Sequence, residues 1–392
     1  MHLAYTPEQE RFRAEVRDYF ESLMTPEVRE SLSSVEDPDD DTYRDVIRQI
    51  GRDGWLTVSW PKEYGGRDLS AIENYIFFDE TQKLGVPIPF LTTNTVGPTL
   101  MHFGTEEQRQ RFIPGIARGD IHFSIGYSEP GAGTDLAAVQ TRAVREGDHY
   151  VINGQKMWTS LIHHADYVWL ACRTDPEAKK HKGISIIIVP TDVEGFSWTP
   201  VNTLGGGFTS ATYYQDVHVP VDNLVGEENQ GWQLITTQLN AERVSLSSAG
   251  VVQRQLDEVR AWAQQTKLPD GRRVIDQEWV QLNLARVQAK VEYLFLLNHK
   301  VAWSATHGQI NPADASGVKV FGSEFYIEAY RLLMEILGQD AVVCKGSPGA
   351  VLQASLERSI RSTLVLTFGG GTNEIQRDII AMLGLGMPRA PR

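Results

Sequence analysis

The sequence contains the segment Ile184-Ser185-Ile186-Ile187-Ile188-Val189-Pro190. A short run of β-branched residues that closes at a proline is typical of a strand. The stretch Tyr150–Gly154, which reads YVING, also combines residues that favour strands with a closing turn residue. From about residue 121 to about residue 226, such stretches alternate with Gly, Asn, Asp and Pro, which predicts a small antiparallel β domain. Within it, the polar stretch Asp175–Lys182 is expected to form a surface loop.

Helical patterns flank this β domain on both sides. Thr6 with Gln9, and Thr105 with Gln108, have the spacing of a capping box and mark two helix starts before the β domain. After it, long helical segments are predicted over 231–265, 276–306, 314–337 and 350–367. Long helices that follow one another closely favour a bundle. The predicted fold class is therefore α+β, with domains over residues 1–120, 121–226 and 227–392.

The composition excludes several classes of protein. In 392 residues, Lys and Arg number 37 and Asp and Glu number 50, which gives a net charge of −13. A chain this acidic is a poor candidate for wrapping nucleic acid or for lying on an anionic membrane. Cys172 and Cys344 are too few for a disulfide framework or a Cys-rich metal site. His163-His164 is not expected to bind a metal either, because adjacent residues of a helix or strand face different ways.

The sequence predicts a cytoplasmic location. The low cysteine content fits a reducing compartment, and the first residues, MHLAY, lack the basic and apolar regions of a secretory signal. No run of about 18 apolar residues occurs, so no transmembrane helix is expected.

Three segments contain residues that could form a binding or catalytic site. The first, Gly126–Asp135, reads GYSEPGAGTD, a tight loop whose backbone N–H groups could meet carbonyl or phosphate oxygens. The second, Lys156–Ser160, reads KMWTS and sets two hydroxyls beside a flat aromatic ring, which suits a planar heterocycle. The third, Phe368–Arg377, reads FGGGTNEIQR, in which glycines end one helix and Thr372 caps the next. Taken singly, each segment also fits a structural role as a turn, a core tryptophan or a pair of helix caps.

Together and in this order, the three segments resemble the acyl-CoA dehydrogenase family. The likeness covers essentially the whole chain, including Pro61–Gly66 (PKEYGG) and Asp216–Pro220 (DVHVP). It implies an N-terminal α-helical domain, a central β-barrel-like domain and a C-terminal four-helix bundle, with FAD bound non-covalently between the last two. It also implies the reaction, which is α,β-desaturation of an acyl-CoA to a trans-2-enoyl-CoA. Electrons would then pass to an electron-transfer flavoprotein or a similar carrier.

The resemblance implies which residues bind the flavin ring. Tyr127 and Ser128 would form hydrogen bonds to the isoalloxazine. Trp158 would pack on the ring, and Ser160 would form a hydrogen bond near N5, the atom that takes the hydride.

The resemblance also implies which residues bind the rest of FAD. Thr134 would approach the pyrophosphate. Thr372 and Glu374 match positions that hold the adenosine and phosphate end. No metal ion is implied.

The catalytic base departs from its commonest position in the family. The reaction removes a proton from the carbon next to the thioester carbonyl, so it needs a positioned carboxylate. Many members place a glutamate directly before the Gly-Thr of the third segment, where this chain has Gly370. Long-chain and isovaleryl-type members instead use a Glu-Arg pair on the first helix of the bundle, which corresponds to Glu242-Arg243. The resemblance thus implies Glu242 as the base and Arg243 as a structural or substrate-binding partner.

The residue pattern supports Glu242 independently. Ile235, Leu239, Glu242, Leu246 and Ala249 follow one another at steps of four and three, which places them on one helical stripe. A carboxylate on an apolar stripe is expected to be partly desolvated, which raises its pKa toward the working range of a base. The alternative is a structural glutamate in a salt bridge.

Two departures from the family pattern bear on assembly. Homotetrameric members carry an Arg-x-x-Phe-Gly segment that reaches the FAD of a neighbouring subunit, whereas Gln264–Arg273 has basic residues but no Phe-Gly. Gly338-Gln339 stands where a Gly-Gly pair is common. These features, and the tail Leu385–Arg392, resemble actinobacterial acyl-CoA dehydrogenases of steroid side chains, which are two-plus-two heteromers. A homo- or heterotetramer with a related chain is expected, and the acyl group, fatty or steroid, stays open.

Three rival functions remain open on this fold. An acyl-CoA oxidase would return electrons to oxygen. A flavin-dependent monooxygenase would consume external reduced flavin and would not need Glu242. The third is a catalytically silent partner subunit. The presence of Glu242 together with the ring-facing segments speaks against it, since a purely structural subunit needs neither a base nor a flavin site.

Overall fold

The computed structural model of the chain describes residues 4–32, 41–242, 247–308 and 310–389, without the side chains of residues 239–242. Helices precede and follow a central sheet, which confirms the α+β prediction. In these ranges, no helix is both long enough and apolar enough to cross a membrane.

The N-terminal part of the chain is helical. Its helices are α1 (Pro7–Leu23), α2 (Pro26–Leu32), α3 (Thr42–Arg52), α4 (Ala71–Leu84), α5 (Gly97–Phe103) and α6 (Glu106–Ala117). Both predicted capping boxes are present, because the hydroxyls of Thr6 and Thr105 each accept from the amide three residues on at 3.2 Å. A π-helical segment, Leu91–Val96, leads directly into α5.

The middle of the chain forms one sheet. Its strands are β1 (Phe123–Gly126), β2 (Arg142–Glu146), β3 (His149–Lys156), β4 (Tyr167–Arg173), β5 (Ile184–Pro190), β6 (Phe196–Asn202), β7 (Phe208–Pro220) and β8 (Leu224–Val225). The strand order is β6-β7-β3-β2-β4-β5-β8, and β1 pairs with β4 beside this path. The predicted surface loop lies between β4 and β5.

The sheet is largely antiparallel, as predicted, but it also contains parallel pairings, which the prediction missed. β1 pairs with β4 in parallel, with Phe123 opposite Tyr167, and β2 meets β4 in parallel at one residue pair. The other strand pairings are antiparallel. A parallel pair needs a long connection, which the β2–β3 hairpin supplies between β1 and β4. Pairing direction here depends on contacts distant in sequence, and local residue patterns do not carry that information.

β5 is buried on both faces, which explains why all of its residues except Ser185 are apolar. Ile184, Ile186 and Ile188 pack in a core shared with the π-helical segment, α5 and α6. Ile187 and Val189 point the other way, into a second core built from the strands of the sheet. A strand that is covered on both sides does not need alternating polar residues.

The C-terminal part of the chain is helical again. Its helices are α7 (Gly231–Glu242), α8 (Ala249–Gln265), α9 (Glu278–Thr306), α10 (Pro312–Leu337), α11 (Ser355–Ser362) and α12 (Asn373–Ile379). α8, α9 and α10 pack against one another around an apolar core, and α4 packs on α8 and α9.

The segment predicted as one helix over 231–265 is interrupted. Ser248 has an extended backbone, with φ −71° and ψ 139°, and caps α8. The Ser248 hydroxyl and the Gly250 amide both donate to Asp79 Oδ1, at 2.8 and 2.9 Å. A half-buried carboxyl group from α4 therefore satisfies groups at the start of a new helix. The stripe that led from Glu242 into α8 does not run along a single helix.

The segment predicted as helical over 350–367 is also divided. Leu352, Gln353 and Ala354 have φ values of 49°, 54° and 57°. Left-handed residues cannot continue a right-handed helix. A short turn therefore precedes α11, and a 3-10 turn, Thr363–Thr367, follows it.

His122 is buried where the N-terminal helices meet the sheet. Its amide donates to Asp166 Oδ2 at 2.8 Å, and its Nε2 lies 3.1 Å from the carbonyl oxygen of Gly119. Arg44 of α3 pairs with the same Asp166 at 3.0 Å. Burial, assisted by the Arg44 cation, lowers the pKa of His122 to about 4.

We expect the free energy of unfolding to fall as the pH drops from 6.5 to about 4, because only the unfolded chain protonates His122 in that window. The contribution of His122 amounts to about 3 kcal/mol at most. Urea denaturation at several pH values checks this, with His122→Gln as the comparison. The variant should lose less stability than the wild type over this window, and equal losses would contradict the expectation.

Candidate functional site

The first two candidate segments lie side by side. The Met157 amide donates to the carbonyl oxygen of Ser128 at 2.8 Å, and Lys156 Nζ donates to the carbonyl oxygen of Tyr127 at 3.0 Å. Trp158 follows Met157 directly in the chain. The structure therefore brings Tyr127, Ser128 and Trp158 together, and we call this place the loop junction.

A buried ion pair holds the loop junction together. Lys156 Nζ, which is fully buried, lies 2.8 Å from Glu129 Oε1. The Glu129 carboxylate also accepts from the amides of Gln140 and Thr141, at 2.7 and 2.8 Å. Although burial disfavours the charge of Glu129, the Lys156 ammonium and these two amides hold its pKa below the usual value. Burial lowers the pKa of the Lys156 ammonium, and the Glu129 carboxylate opposes that effect.

Sequence reasoning misses both members of this ion pair. Lys156 is an even number of residues from the buried Tyr150 and Ile152 of β3, with the exposed Gly154 in between, and it is itself fully buried. A lysine at such a position implies a buried partner. That signal was available, but the identity of the partner, Glu129, depends on how the chain folds.

Trp158 presents its ring at the surface of the loop junction. It is 57% exposed and has a φ of 66°, in the left-handed region that bulky residues rarely adopt. The next amide, that of Thr159, donates to the carbonyl oxygen of Ser210 on β7 at 2.9 Å. The Ser160 carbonyl oxygen accepts from the Ser124 hydroxyl at 2.8 Å, while Ser160 as a whole is exposed. Strained residues that are anchored in this way cluster at ligand sites.

Tyr127 connects the loop junction to the C-terminal helices. Its hydroxyl donates to Gln238 Oε1 on α7 and accepts from Trp169 Nε1 at 3.2 Å. Gln238 and Glu242 are four residues apart on α7, so the two positions share one face of that helix. The predicted base therefore occupies a position on the face of α7 that meets Tyr127. The side chain of Glu242 and all of Arg243 lie outside the described residues.

The third segment builds the start of α12. The Thr372 hydroxyl accepts from the Ile375 amide at 3.3 Å, as an N-cap does. Gly371 has a φ of 91°, which favours glycine, and its carbonyl oxygen accepts from Lys319 Nζ at 2.7 Å. Lys319 is buried on α10, and sequence reasoning misses this cation as well. Glu374 is exposed on the first turn of α12.

The predicted phosphate-side residues do not form one cluster within the described part of the chain. Thr134 is exposed on the first segment, beside Asp135, which pairs with Lys180. Thr372 and Glu374 belong to the C-terminal helical part, and none of their described hydrogen bonds reaches the loop junction.

The first segment has room for a bound group. At Gly131 and Gly133, an added Cβ would meet no atom within 4 Å, and neither glycine has a positive φ. The described residues thus give no packing or conformational reason for either glycine. Uncovered backbone in such a loop lets N–H groups approach an anion. Together with the exposed ring of Trp158, this arrangement fits a cofactor that has a flat ring and phosphates.

In the described ranges, no group of three or more His, Cys, Asp or Glu side chains is placed to hold a metal ion. The expectation that His163 and His164 face apart was wrong, because their ring centroids lie 4.0 Å from each other. Both belong to a 3-10 turn that follows Leu161, whose φ is 58°. That kink replaces the regular helix or strand geometry on which the expectation rested.

Comparison with known proteins gives full-length matches. Family models for the N-terminal, middle and C-terminal domains of acyl-CoA dehydrogenases match residues 6–120, 124–217 and 229–385. The chain is 61% identical to acyl-CoA dehydrogenase FadE26 of Mycobacterium tuberculosis, with 100% of both chains covered. Its fold is similar to a chain of the ChsE4-ChsE5 complex from Mycobacterium tuberculosis, with a TM-score of 0.94, 61% identity and 100% of both chains covered. It is also similar to a chain of the Tcur3481-Tcur3483 steroid ACAD, with a TM-score of 0.93, 50% identity and 100% of both chains covered.

Proposed function

The chain belongs to the acyl-CoA dehydrogenase family of flavin-dependent oxidoreductases, and on that premise we propose that it converts an acyl-CoA to a trans-2-enoyl-CoA. The observation that carries the proposal is the contact between Tyr127 and Gln238. It joins the loop junction to α7, one helical turn before Glu242. This contact supports the proposal, because the loop junction, which would bind the ring, then adjoins the helix that carries the proposed base.

The cofactor proposed for this site is FAD. Tyr127, Ser128, Trp158 and Ser160 would hold its ring, and Thr134, Thr372 and Glu374 would hold its phosphate and adenosine end. When bound, FAD supplies the acceptor for two electrons and one hydrogen from the β-carbon. The exposed ring of Trp158 and the uncovered glycines of the first segment support this assignment.

Glu242 is proposed as the base. The α-proton of a thioester is only weakly acidic, so its removal needs a carboxylate held at a fixed place. Gln238 and Tyr127 hold α7 against the loop junction, which fixes the position of residue 242 relative to it. Arg243 is proposed to contact the substrate or to support this segment.

The CoA part of the substrate is proposed to meet a basic loop. Lys179, Lys180 and Lys182 are exposed between β4 and β5. Lys180 pairs with Asp135 of the first segment, so this loop lies next to the candidate cofactor site. Exposed ammonium groups of this kind attract phosphates, which supports a CoA ester over a free acid.

We propose that the protein works as a heterotetramer with a related chain. The named structural relatives are a ChsE4-ChsE5 complex and a Tcur3481-Tcur3483 steroid ACAD, which makes a steroid side-chain ester the proposed substrate class. Arg272 and Arg273, in the segment that departs from homotetramers, pair locally with Asp270 and Asp276 at 2.7 Å. Both guanidinium groups therefore form ion pairs within their own loop.

The outer face of α9 supports association with another chain. Its exposed large apolar side chains recur at helical spacing and are Trp279, Leu282, Tyr293, Leu296 and Trp303. Several large apolar side chains exposed along one helix are consistent with an interaction site. The proposed location is the cytoplasm, and the proposed electron acceptor is an electron-transfer flavoprotein or a similar carrier.

The first measurement is the ratio of flavin to chain, from visible absorption after free FAD has been removed. A heteromeric enzyme should give a ratio well below one when this chain is purified alone, because its neighbour-facing segment does not complete the site. Co-expression with a related acyl-CoA dehydrogenase chain should restore the flavin. A ratio near one for the chain alone would overturn the heteromeric assembly and leave the dehydrogenase proposal standing. Oxygen uptake during turnover would indicate an oxidase instead.

A further inference from the structure

Lys319 of α10 is a buried cation that contacts the third segment. The residue is 2% exposed, and its Nζ donates to the carbonyl oxygen of Gly371 and to Asn373 Oδ1, both at 2.7 Å. Burying a charged group costs free energy unless polar partners surround it. Both of these acceptors belong to the loop and helix start that carry Thr372.

The contact with Gly371 fixes the direction of one peptide group. The Gly371 carbonyl and the Thr372 N–H belong to the same planar trans peptide, so they point in opposite directions. Because the carbonyl oxygen accepts from Lys319, the Thr372 N–H points away from this buried cation. Among the residues that the structure describes, none accepts from that N–H. The Gly370 carbonyl oxygen accepts a longer hydrogen bond from Gln376 Nε2, at 3.5 Å.

Further hydrogen bonds hold the start of α12 on α10. Asn373 is buried, and its Nδ2 donates to Ser323 Oγ at 3.0 Å and to Glu324 Oε1 at 3.2 Å. Glu324 also pairs with Arg377 of α12 at 2.7 Å. Lys319 and Ser323 are four residues apart and so share one face of α10. This face therefore meets the third segment with polar groups.

The glycines of the third segment make such an anchor valuable for binding. Gly370 and Gly371 have φ values of 67° and 91°. Glycine has more conformational freedom to lose than any other residue when a loop becomes ordered. A contact inside the protein that orders the loop before a ligand arrives lowers the entropy lost on binding and so raises the affinity.

We propose that Lys319 is a positioning residue for cofactor binding: through the Gly371 carbonyl oxygen, it fixes the loop that presents Thr372 to the phosphate and adenosine end of FAD. The inference rests on the proposed function, which assigns Thr372 and Glu374 to that end. Lys319 acts through this loop and not on the flavin ring, whose proposed partners belong to the first two segments. It therefore affects the binding of FAD and not that of a flavin without phosphates.

The test compares FAD with riboflavin, which has the same ring but lacks the phosphates and the adenosine. Both are titrated into the flavin-free protein, in complex with its partner chain if it needs one, and binding is followed by quenching of flavin fluorescence. Lys319→Met should raise the Kd of FAD by about tenfold or more and leave the Kd of riboflavin unchanged. Lys319→Gln keeps an N–H donor, so its Kd of FAD should lie between those of the wild type and Lys319→Met.

Leu333→Ala is the matched control. Leu333 is fully buried on α10, and its truncation weakens the same helical core without a contact to the third segment among the described hydrogen bonds. Urea denaturation ranks the variants by stability. Leu333→Ala should keep the wild-type Kd of FAD. If riboflavin binds too weakly for a Kd, the comparison of Lys319→Met with Leu333→Ala decides.

Four results overturn the inference. They are an unchanged Kd of FAD in Lys319→Met, an equal loss of affinity for FAD and riboflavin, an equal loss of FAD affinity in Leu333→Ala, and failure of both Lys319 variants to fold, which assigns the residue to the fold alone. A wild type that binds FAD but desaturates no acyl-CoA overturns the proposed function, and the same titrations still decide the role of Lys319. A wild type that binds no FAD in any assembly overturns both.

Discussion

Replacing Glu242 with Gln is expected to leave the flavin bound and to abolish its anaerobic reduction by acyl-CoA, with a loss on the order of 10²- to 10⁴-fold. The amide keeps the size and shape of the side chain but cannot take the α-proton. The flavin should survive, because the contacts that shape the loop junction come from Lys156, Glu129 and Tyr127. Stopped-flow absorption at the flavin band measures the rate directly.

The matched control is Glu227→Gln, which removes an exposed carboxylate just before α7. It should bleach at the wild-type rate. If Glu242→Gln also bleaches at that rate, the base lies elsewhere. An unchanged rate in the assembled complex puts the base either at another residue of this chain or in the related subunit, and in the second case this chain is a silent partner.

Replacing Lys156 with Met is expected to destabilise the fold by about 3–5 kcal/mol, because it leaves the buried Glu129 carboxylate without its cation. The same change frees the Tyr127 carbonyl oxygen from its bond to Lys156 Nζ, so flavin occupancy should fall too. Urea denaturation measures the first effect, and visible absorption of the purified holoenzyme complex measures the second.

Two further variants separate the buried charge from general disruption. Lys156→Met/Glu129→Gln removes both charges and should regain part of the stability that the single variant loses. Lys62→Met breaks an exposed pair with Asp68 at 3.9 Å and should cost less than about 1 kcal/mol. The ion pair does not hold the loop junction if Lys156→Met costs no more than Lys62→Met.

Features that depend on neighbouring residues were predictable from the sequence. The capping boxes at Thr6 and Thr105 need only a hydroxyl and a glutamine three residues on. The strand character of Ile184–Pro190 follows from its own β-branched run. The three site segments were also visible, because their glycines, hydroxyls and tryptophan lie close together in the chain.

Features that depend on distant residues were not predictable. The break before α8 is stabilised by Asp79, 169 residues before Ser248, and no local pattern around Ser248 shows that carboxylate. Lys156 and Glu129 are 27 residues apart, so the sequence shows two charges and not a pair. The parallel pairing of β1 with β4 likewise depends on the path of the whole chain through the sheet.

The two-sided burial of β5 has a consequence for chimeric enzymes and for recombination between relatives. A middle segment exchanged at residue 121 would carry Ile184, Ile186 and Ile188 into a foreign set of N-terminal helices. Those isoleucines interdigitate with a core that the segment itself does not encode, so the transplant would meet mismatched side-chain volumes. A chimera that folds therefore needs its crossover point before the π-helical segment. The N-terminal helices of this core and strand β5 then come from the same parent protein.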